Sequence, residues 1–163
     1  MIIINKSGHL KYKNFKFRCA LGKASIGEKK QEGDNVTPAG IFKIVQIYYR
    51  SDRVKKISSK LKAIEITKNM GWCDDPNSKN YNQLINLPSR YGHEKLFKKN
   101  NIYDIIVVLN YNMKPVIKNK GSAIFIHVAK KTYQPTQGCI ALKKNDLLKL
   151  LSNVRKNIKI KIN

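Results

Sequence analysis

Apolar residues in this chain come in short runs with a period of two rather than 3.6, which directs the fold toward sheets. Phe15, Phe17, Cys19 and Leu21 alternate with Lys16, Arg18 and Ala20, and Ile158, Ile160 and Ile162 alternate with Lys159 and Lys161. Each stretch reads as a strand with one buried and one wet face. Tyr103 to Leu109, rich in Ile and Val, reads as a central strand, and Ala123 to Ile126 as a buried strand ending at His127. Helical spacing is clear for Leu147, Leu150, Leu151 and Val154, with Asn145 and Asp146 placed as cap and first turn. A second, short helix is expected from about Glu94 to Lys99. The pattern predicts one mainly β (α+β) domain over residues 1–163, a sandwich or barrel with one or two flanking helices.

Further strands are expected over Met1 to Asn5, Ile41 to Tyr49 and Lys62 to Thr67, with a polar loop from Lys23 to Pro38. Asn69 to Arg90 has almost no periodicity, and Gly71, Pro76, Asn77, Ser78, Asn80, Asn82 and Pro88 mark it as a long irregular excursion. Loops of that length inside a compact domain are usually functional. A chain of 163 residues can bury a core without staples. No run approaches the roughly 18 apolar residues of a membrane span, and no apolar leader with a cleavage site follows Met1.

With 33 Lys and Arg against 10 Asp and Glu, the net charge is +23, so anionic polymers and surfaces attract the chain at long range. Peptidoglycan carboxylates and anionic lipid fit that description. Nucleic acid fits it by charge alone, but no recognition helix or aromatic-basic pattern accompanies the lysines, so no specific nucleic-acid partner is expected. Lysines spread over every predicted element read as a solvated surface, and a monomer is expected. Three cysteines, Cys19, Cys73 and Cys139, lack C-x-x-C spacing, which excludes a disulfide framework and a structural zinc site.

Reactive chemistry concentrates at Ile126-His127 and the later Thr136-Gln137-Gly138-Cys139-Ile140-Ala141-Leu142. If the two apolar runs pair as strands, a thiol and an imidazole come within hydrogen-bond reach, and an imidazolium would favour thiolate. Gly138 lets a carbonyl approach closely, and the backbone N–H groups of Gly138 and Cys139 could face an oxyanion. The plainer alternative is that Cys139 is a buried small hydrophobe and His127 a satisfied core histidine. Cys19 reads as structural, and Cys73 as a loop thiol without a regular ligand partner in His93. His93 reads as a cap at a helix start and His9 as a turn residue. Thr37 and Gly40 read as turn residues. Trp72, Tyr111, Asn112 and Tyr133 are candidates to line a groove, and Arg18, Arg50 and Arg90 to hold carboxylates.

These residues resemble the L,D-transpeptidases of the YkuD type, whose motif is a His, a loop, then Ser/Thr-His-Gly-Cys, an apolar residue and usually Arg. His127, Thr136, Gly138, Cys139 and Ile140 match it. Gln137 stands where the motif has its second His, Ala141 where it has Arg, and the loop after His127 is shorter. Glu32 to Ile44, with Thr37-Pro38-Ala39-Gly40-Ile41-Phe42, is similar to the family's early Thr-Pro-x-Gly-x-Phe segment. With Gly71 to Pro76 and Tyr103 to Leu109, the whole chain looks like the short, stand-alone branch.

The resemblance implies a YkuD-like sandwich or barrel and a cysteine acyltransferase acting on peptidoglycan stem peptides. Cys139 would be the nucleophile, His127 the base and Gly138 part of the oxyanion site, with Thr136, Gln137, Tyr111, Asn112 and Trp72 binding substrate. A thioester acyl-enzyme attacked by an amine would give an L,D cross-link. The imidazole would be held by a backbone carbonyl near Gln137 or Gly138 rather than by a carboxylate. No metal or organic cofactor is implied, and the family implies work at the cell envelope. Two alternatives remain: an L,D-carboxypeptidase using water at the same site, and a basic module that binds cell wall or nucleic acid without catalysis.

Overall fold

The computed structural model describes residues 1–163. Its strands are β1 (Ile2–Asn5), β2 (His9–Tyr12), β3 (Phe15–Ala20), β4 (Ile26–Gly27), β5 (Thr37–Pro38), β6 (Gly40–Tyr49), β7 (Ala63–Glu65), β8 (Met70–Cys73), β9 (Leu84–Asn86), β10 (His93–Lys95), β11 (Ile105–Leu109), β12 (Phe125–Val128), β13 (Ile140–Leu142) and β14 (Lys159–Ile162). The helix is α1 (Lys144–Asn153). No helix is long and apolar enough to cross a membrane.

Nine strands form the main sheet in the order β11-β12-β13-β3-β2-β1-β14-β6-β7, and β6 also pairs with β11, so eight of them close into a barrel. Closure depends on the length of β6. Its first residues pair with β14 and its later ones with β11, with a register shift between Val108 and Leu109 that bends the ladder at the corner. Ile2, Ile4, Leu10, Phe17, Cys19, Ile126, Ile140, Ile160 and Ile162 share one core, onto which α1 packs Leu147, Leu150 and Leu151. Each such aliphatic side chain contributes about 1.5–3 kcal/mol on burial.

Strand β11 is buried on both faces, which explains its unbroken apolar run. Ile105, Val107 and Leu109 of β11 point into the barrel core. Ile106 and Val108 join Tyr48, Ile66, Trp72, Leu96, Tyr103 and Phe125 in a second core outside it. A separate three-stranded sheet, β10-β8-β9, covers that second core.

Several expectations are corrected here. The stretch from Asn69 to Arg90 is an ordered part of the small sheet, containing β8 and β9. Glu94 to Lys99 forms no helix, because His93–Lys95 pairs with β8 instead, opposite Cys73, Trp72 and Gly71. Sheet pairing overrides the helical spacing there, leaving one helix. That helix receives no side-chain cap: Lys143 is its N-cap residue, and Asn145 lies inside it. Cys73 is fully buried in β8 rather than placed in a loop, His93 belongs to β10, and His9 starts β2.

Asp104 ties the barrel to the helix. Its buried carboxylate takes Arg53 Nη1 at 3.1 Å and Lys144 Nζ at 3.0 Å. Removing it leaves two partly buried cations facing each other. Asp104→Ala is therefore expected to lower stability by about 3 kcal/mol, seen as a lower urea midpoint at unchanged slope.

Candidate active site

Strand β13 lies parallel to β12, with Ile126 opposite Ile140 and His127 opposite Ala141. Side chains alternate along both strands, so Ile126, Val128, Ile140 and Leu142 enter the barrel. His127 and Ala141 face outward, and Cys139, two residues before Ala141, shares that face. His127 and Cys139 are thus diagonal neighbours on the outer side of one strand pair, lining a cavity of about 390 Å³.

The loop before Cys139 is tied at several points. Thr136 N–H donates to Leu21 O at 2.8 Å, and Lys23 N–H donates to Thr136 O at 2.9 Å. The Thr136 hydroxyl donates to Cys139 O at 2.6 Å and accepts from Gly138 N–H at 3.2 Å. Gly138 has φ +133°, and a Cβ there would stand 2.9 Å from Val36 O, so glycine is required. Behind it, Gly22 N–H donates to the buried Thr37 hydroxyl at 2.8 Å. A Cβ on Gly22 would collide with Asn35 O and lie 3.0 Å from Gly138 Cα. Thr37 is thus more than a turn residue: it braces the backbone on which the cysteine loop rests.

Cys139 is half-buried. Its thiol donates to Ala123 O at 3.1 Å and accepts Phe125 N–H at 3.4 Å. Burial pushes the Cys139 thiol up to about 12, against a smaller opposing effect of the Phe125 N–H. Burial also lowers the pKa of His127 below its ordinary value, with the Val128 carbonyl working in the other direction. The resting pair is therefore a neutral thiol and a neutral imidazole, not the expected thiolate and imidazolium. Nor do the two side chains hydrogen-bond directly, since the thiol proton is held by Ala123.

His127 Nδ1 lies 3.0 Å from Val128 O. A carbonyl can only accept, so Nδ1 carries the proton and Nε2 keeps a free lone pair. The orienting group is a backbone carbonyl, as the resemblance implied, but it belongs to Val128 rather than to Gly138 or Gln137. The Tyr103 ring meets the imidazole edge to face, with centroids 5.5 Å apart.

Thr136 and Gln137 line the cavity, whereas Trp72, Tyr111 and Asn112 do not. Trp72 is buried edge-on against Phe125, and its Nε1 donates to Asn82. The Tyr111 hydroxyl donates to Lys120 O, and Asn112 Nδ2 donates to Ile117 O and Gly121 O, so both brace a loop. The three arginines are likewise engaged elsewhere. Arg50 pairs with Asp52 and stacks on Phe97, Arg18 lies over Tyr133 and Arg90 over Tyr91.

Charge enters the cavity instead through Lys29, Glu32, Asp74, Glu94, Lys98 and Lys130. None of these stands out in the sequence as a site residue, because single charged residues in polar stretches carry no local signal. Lys29 is buried against Asp34. Burial alone would raise the Asp34 pKa, but Lys29 and the N–H groups of Val36, Lys30 and Gln31 bring it down to about 2.

The L,D-transpeptidase catalytic domain family, YkuD, matches residues 1–162. The chain belongs to that family. Its fold is shared with the helical cell shape determining protein Pgp2 from Campylobacter jejuni, at 17% identity and a TM-score of 0.53. The likeness covers 99% of this chain and 46% of Pgp2, so the chain spans less than half of that protein. The K307A mutant of Pgp2 gives 17% identity, a TM-score of 0.52 and the same coverage. L,D-transpeptidase 1 from Mycobacterium tuberculosis aligns at 13% identity and a TM-score of 0.43, covering 99% of this chain and 60% of the other. No curated protein sequence matches. The mainly β, YkuD-like barrel expected from the sequence is the observed fold.

A thiol with a pKa near 12 has a thiolate fraction that grows about tenfold per pH unit below that value. Iodoacetamide labelling of Cys139 should accelerate accordingly from pH 7 to 9, while Cys19, enclosed in the barrel, stays unlabelled until unfolding. Fast labelling independent of pH, read by mass spectrometry, would show a thiolate at rest and contradict this electrostatic account.

Proposed function

We propose that the chain is a cysteine acyltransferase that forms L,D cross-links between peptidoglycan stem peptides, working at the cell envelope where that polymer lies. The observation that carries the reading is the parallel register of β12 and β13, which sets His127 and Cys139 on one face beside the cavity. Family membership over nearly the whole chain supports the substrate class.

The neutral resting pair defines how the first half-reaction runs. As Sγ moves from Ala123 O onto the carbonyl carbon at the L-to-D junction, its proton passes to His127 Nε2. That nitrogen is the base because Nδ1 is engaged by Val128. The imidazolium returns the proton to the leaving amine, releasing the terminal D-amino acid and leaving a thioester. For the oxyanion, Cys139 N–H is the candidate donor, because no group of the chain accepts from it. Gly138 N–H already donates to Thr136, so its part is to shape the loop and admit the substrate. An amine from a second stem peptide then takes the acyl group. Ala141, opposite His127, lines the cavity at the position where the family motif usually has Arg.

Incubation with tetrapeptide stem fragments should yield linked dimers. Tripeptide alone would mean an L,D-carboxypeptidase, and no change, with binding intact, would mean a non-catalytic module. Cys139→Ala should abolish turnover, and His127→Ala should lower acylation by about 10³-fold. The pH profile follows from the sign of the His127 shift. Its pKa lies below 6.5, so the base form is complete at neutral pH and is lost as pH falls through that lower value. The acid limb of the acylation rate should therefore lie below pH 6.5; a limb at or above it contradicts the assignment.

A further inference from the structure

Two cores account for the unbroken apolar run of β11, but the runs in β1 and β6 have only one core beneath them. In β1, Ile2 and Ile4 enter the barrel while Ile3, between them, faces outward at 41% exposure. In β6, Phe42 and Ile44 pack against the core while Ile41 and Val45 are 59% and 53% exposed. An outward position on a strand with one wet face is ordinarily polar, and no other part of the chain covers these three aliphatic side chains.

They sit among cations. Pairing across adjacent strands aligns Lys16, Lys11, Ile3, Lys161 and Ile41 in one row, running from β3 through β2, β1 and β14 to β6. Lys159 and Lys43 face each other beside that row. Neighbouring strands lie about 4.8 Å apart, so Lys161 stands between two isoleucines about 10 Å from each other. All five lysines are exposed, and none forms an ion pair. The chain has ten acidic residues, yet β1, β2, β3, β6 and β14 contain none. The outer face of these strands is therefore basic throughout, with aliphatic side chains set between the ammonium groups.

We propose that this face docks on an anionic lipid bilayer, with Ile3, Ile41 and Val45 entering the headgroup boundary and Lys11, Lys16, Lys43, Lys159 and Lys161 meeting lipid phosphates. Lysine suits that arrangement, because its methylene stem lies along apolar surface while its ammonium reaches the phosphate. A polyanion in solution would match the charge but gain nothing from the aliphatic side chains. For nucleic acid the face also lacks an exposed aromatic ring on which bases could stack. Around the closed barrel, β1 and β14 lie across from β12 and β13. Lipid held on this face leaves the Cys139 cavity uncovered, so docking and the chemistry proposed there are separable.

The test is co-sedimentation of the full chain, at physiological salt, with vesicles of phosphatidylglycerol and phosphatidylcholine in equal parts or of phosphatidylcholine alone. Binding should occur on the anionic vesicles only. Lys11→Gln with Lys161→Gln should weaken it about 25-fold, about fivefold for each charge removed at the lipid surface. Lys79→Gln with Lys95→Gln removes the same charge from the small-sheet side and should change binding by less than about twofold, because screening limits the reach of distant charges. Ile3→Thr with Ile41→Thr keeps β-branched residues in the strands and should weaken vesicle binding about tenfold while leaving heparin binding unchanged. Cys139→Ala should bind vesicles as the wild type does, so loss of turnover and loss of docking are read separately. Equal binding to both kinds of vesicle overturns the proposal. So does an equal loss for the two lysine pairs, which would mark attraction by net charge alone. Isoleucine variants that bind vesicles like the wild type would also overturn it and assign the face to a polyanion in solution.

Discussion

The parallel pairing of β12 with β13 is the constraint on which the site depends. Because side chains alternate along a strand, the register that places Ile126 opposite Ile140 in the barrel interior also sets His127 and Cys139 together on the outside. A slip of one residue in either strand would send one of them into the core. The register is held from the inside by aliphatic packing and from the loop side by Thr136, whose backbone joins Leu21 and Lys23 and whose hydroxyl closes onto Cys139. Packing energy in the barrel core therefore fixes the relative placement of His127 and Cys139.

Electrostatics then divides the molecule. The chain carries a large positive excess, while the cavity mixes three lysines with three carboxylates. Desolvation governs Cys139 and His127, holding the thiol pKa up and the imidazole pKa down so that both groups rest neutral. A neutral pair avoids holding an unsolvated ion pair in a half-closed site, at the cost of requiring proton transfer during attack. The Val128 carbonyl fixes the His127 tautomer, leaving Nε2 free for the transfer that the proposed reaction requires.

Period-two alternation made most of the barrel readable from the sequence, and the double-sided burial of β11 accounts for its unbroken Ile-Val run. Cys139 and His127, the residues proposed as nucleophile and base, stand out in the sequence because Gly138-Cys139 and His127 sit at the ends of apolar runs. The small sheet was not, since β8, β9 and β10 are three or four residues long and are separated by turn-rich segments whose composition resembles a loop. Glu94 to Lys99 suggested a helix because no local signal reveals that Glu94 pairs across to Trp72. Trp72, Tyr111 and Asn112 have groove-like chemistry, yet long-range hydrogen bonds and core packing use their side chains. The acidic lining was hidden for the opposite reason: Glu32, Asp74 and Glu94 are distant in sequence and meet only when the small sheet folds over the barrel.

Cys139 as the acyl-carrying residue is the central claim, and the mass of the trapped intermediate tests it most directly. Brief incubation with a tetrapeptide donor, an acid quench and intact-mass measurement should give protein heavier by the acyl fragment, with peptide mapping placing the added mass on Cys139. Absence of any adduct in folded wild-type protein, or an adduct that persists in Cys139→Ala, would contradict the account.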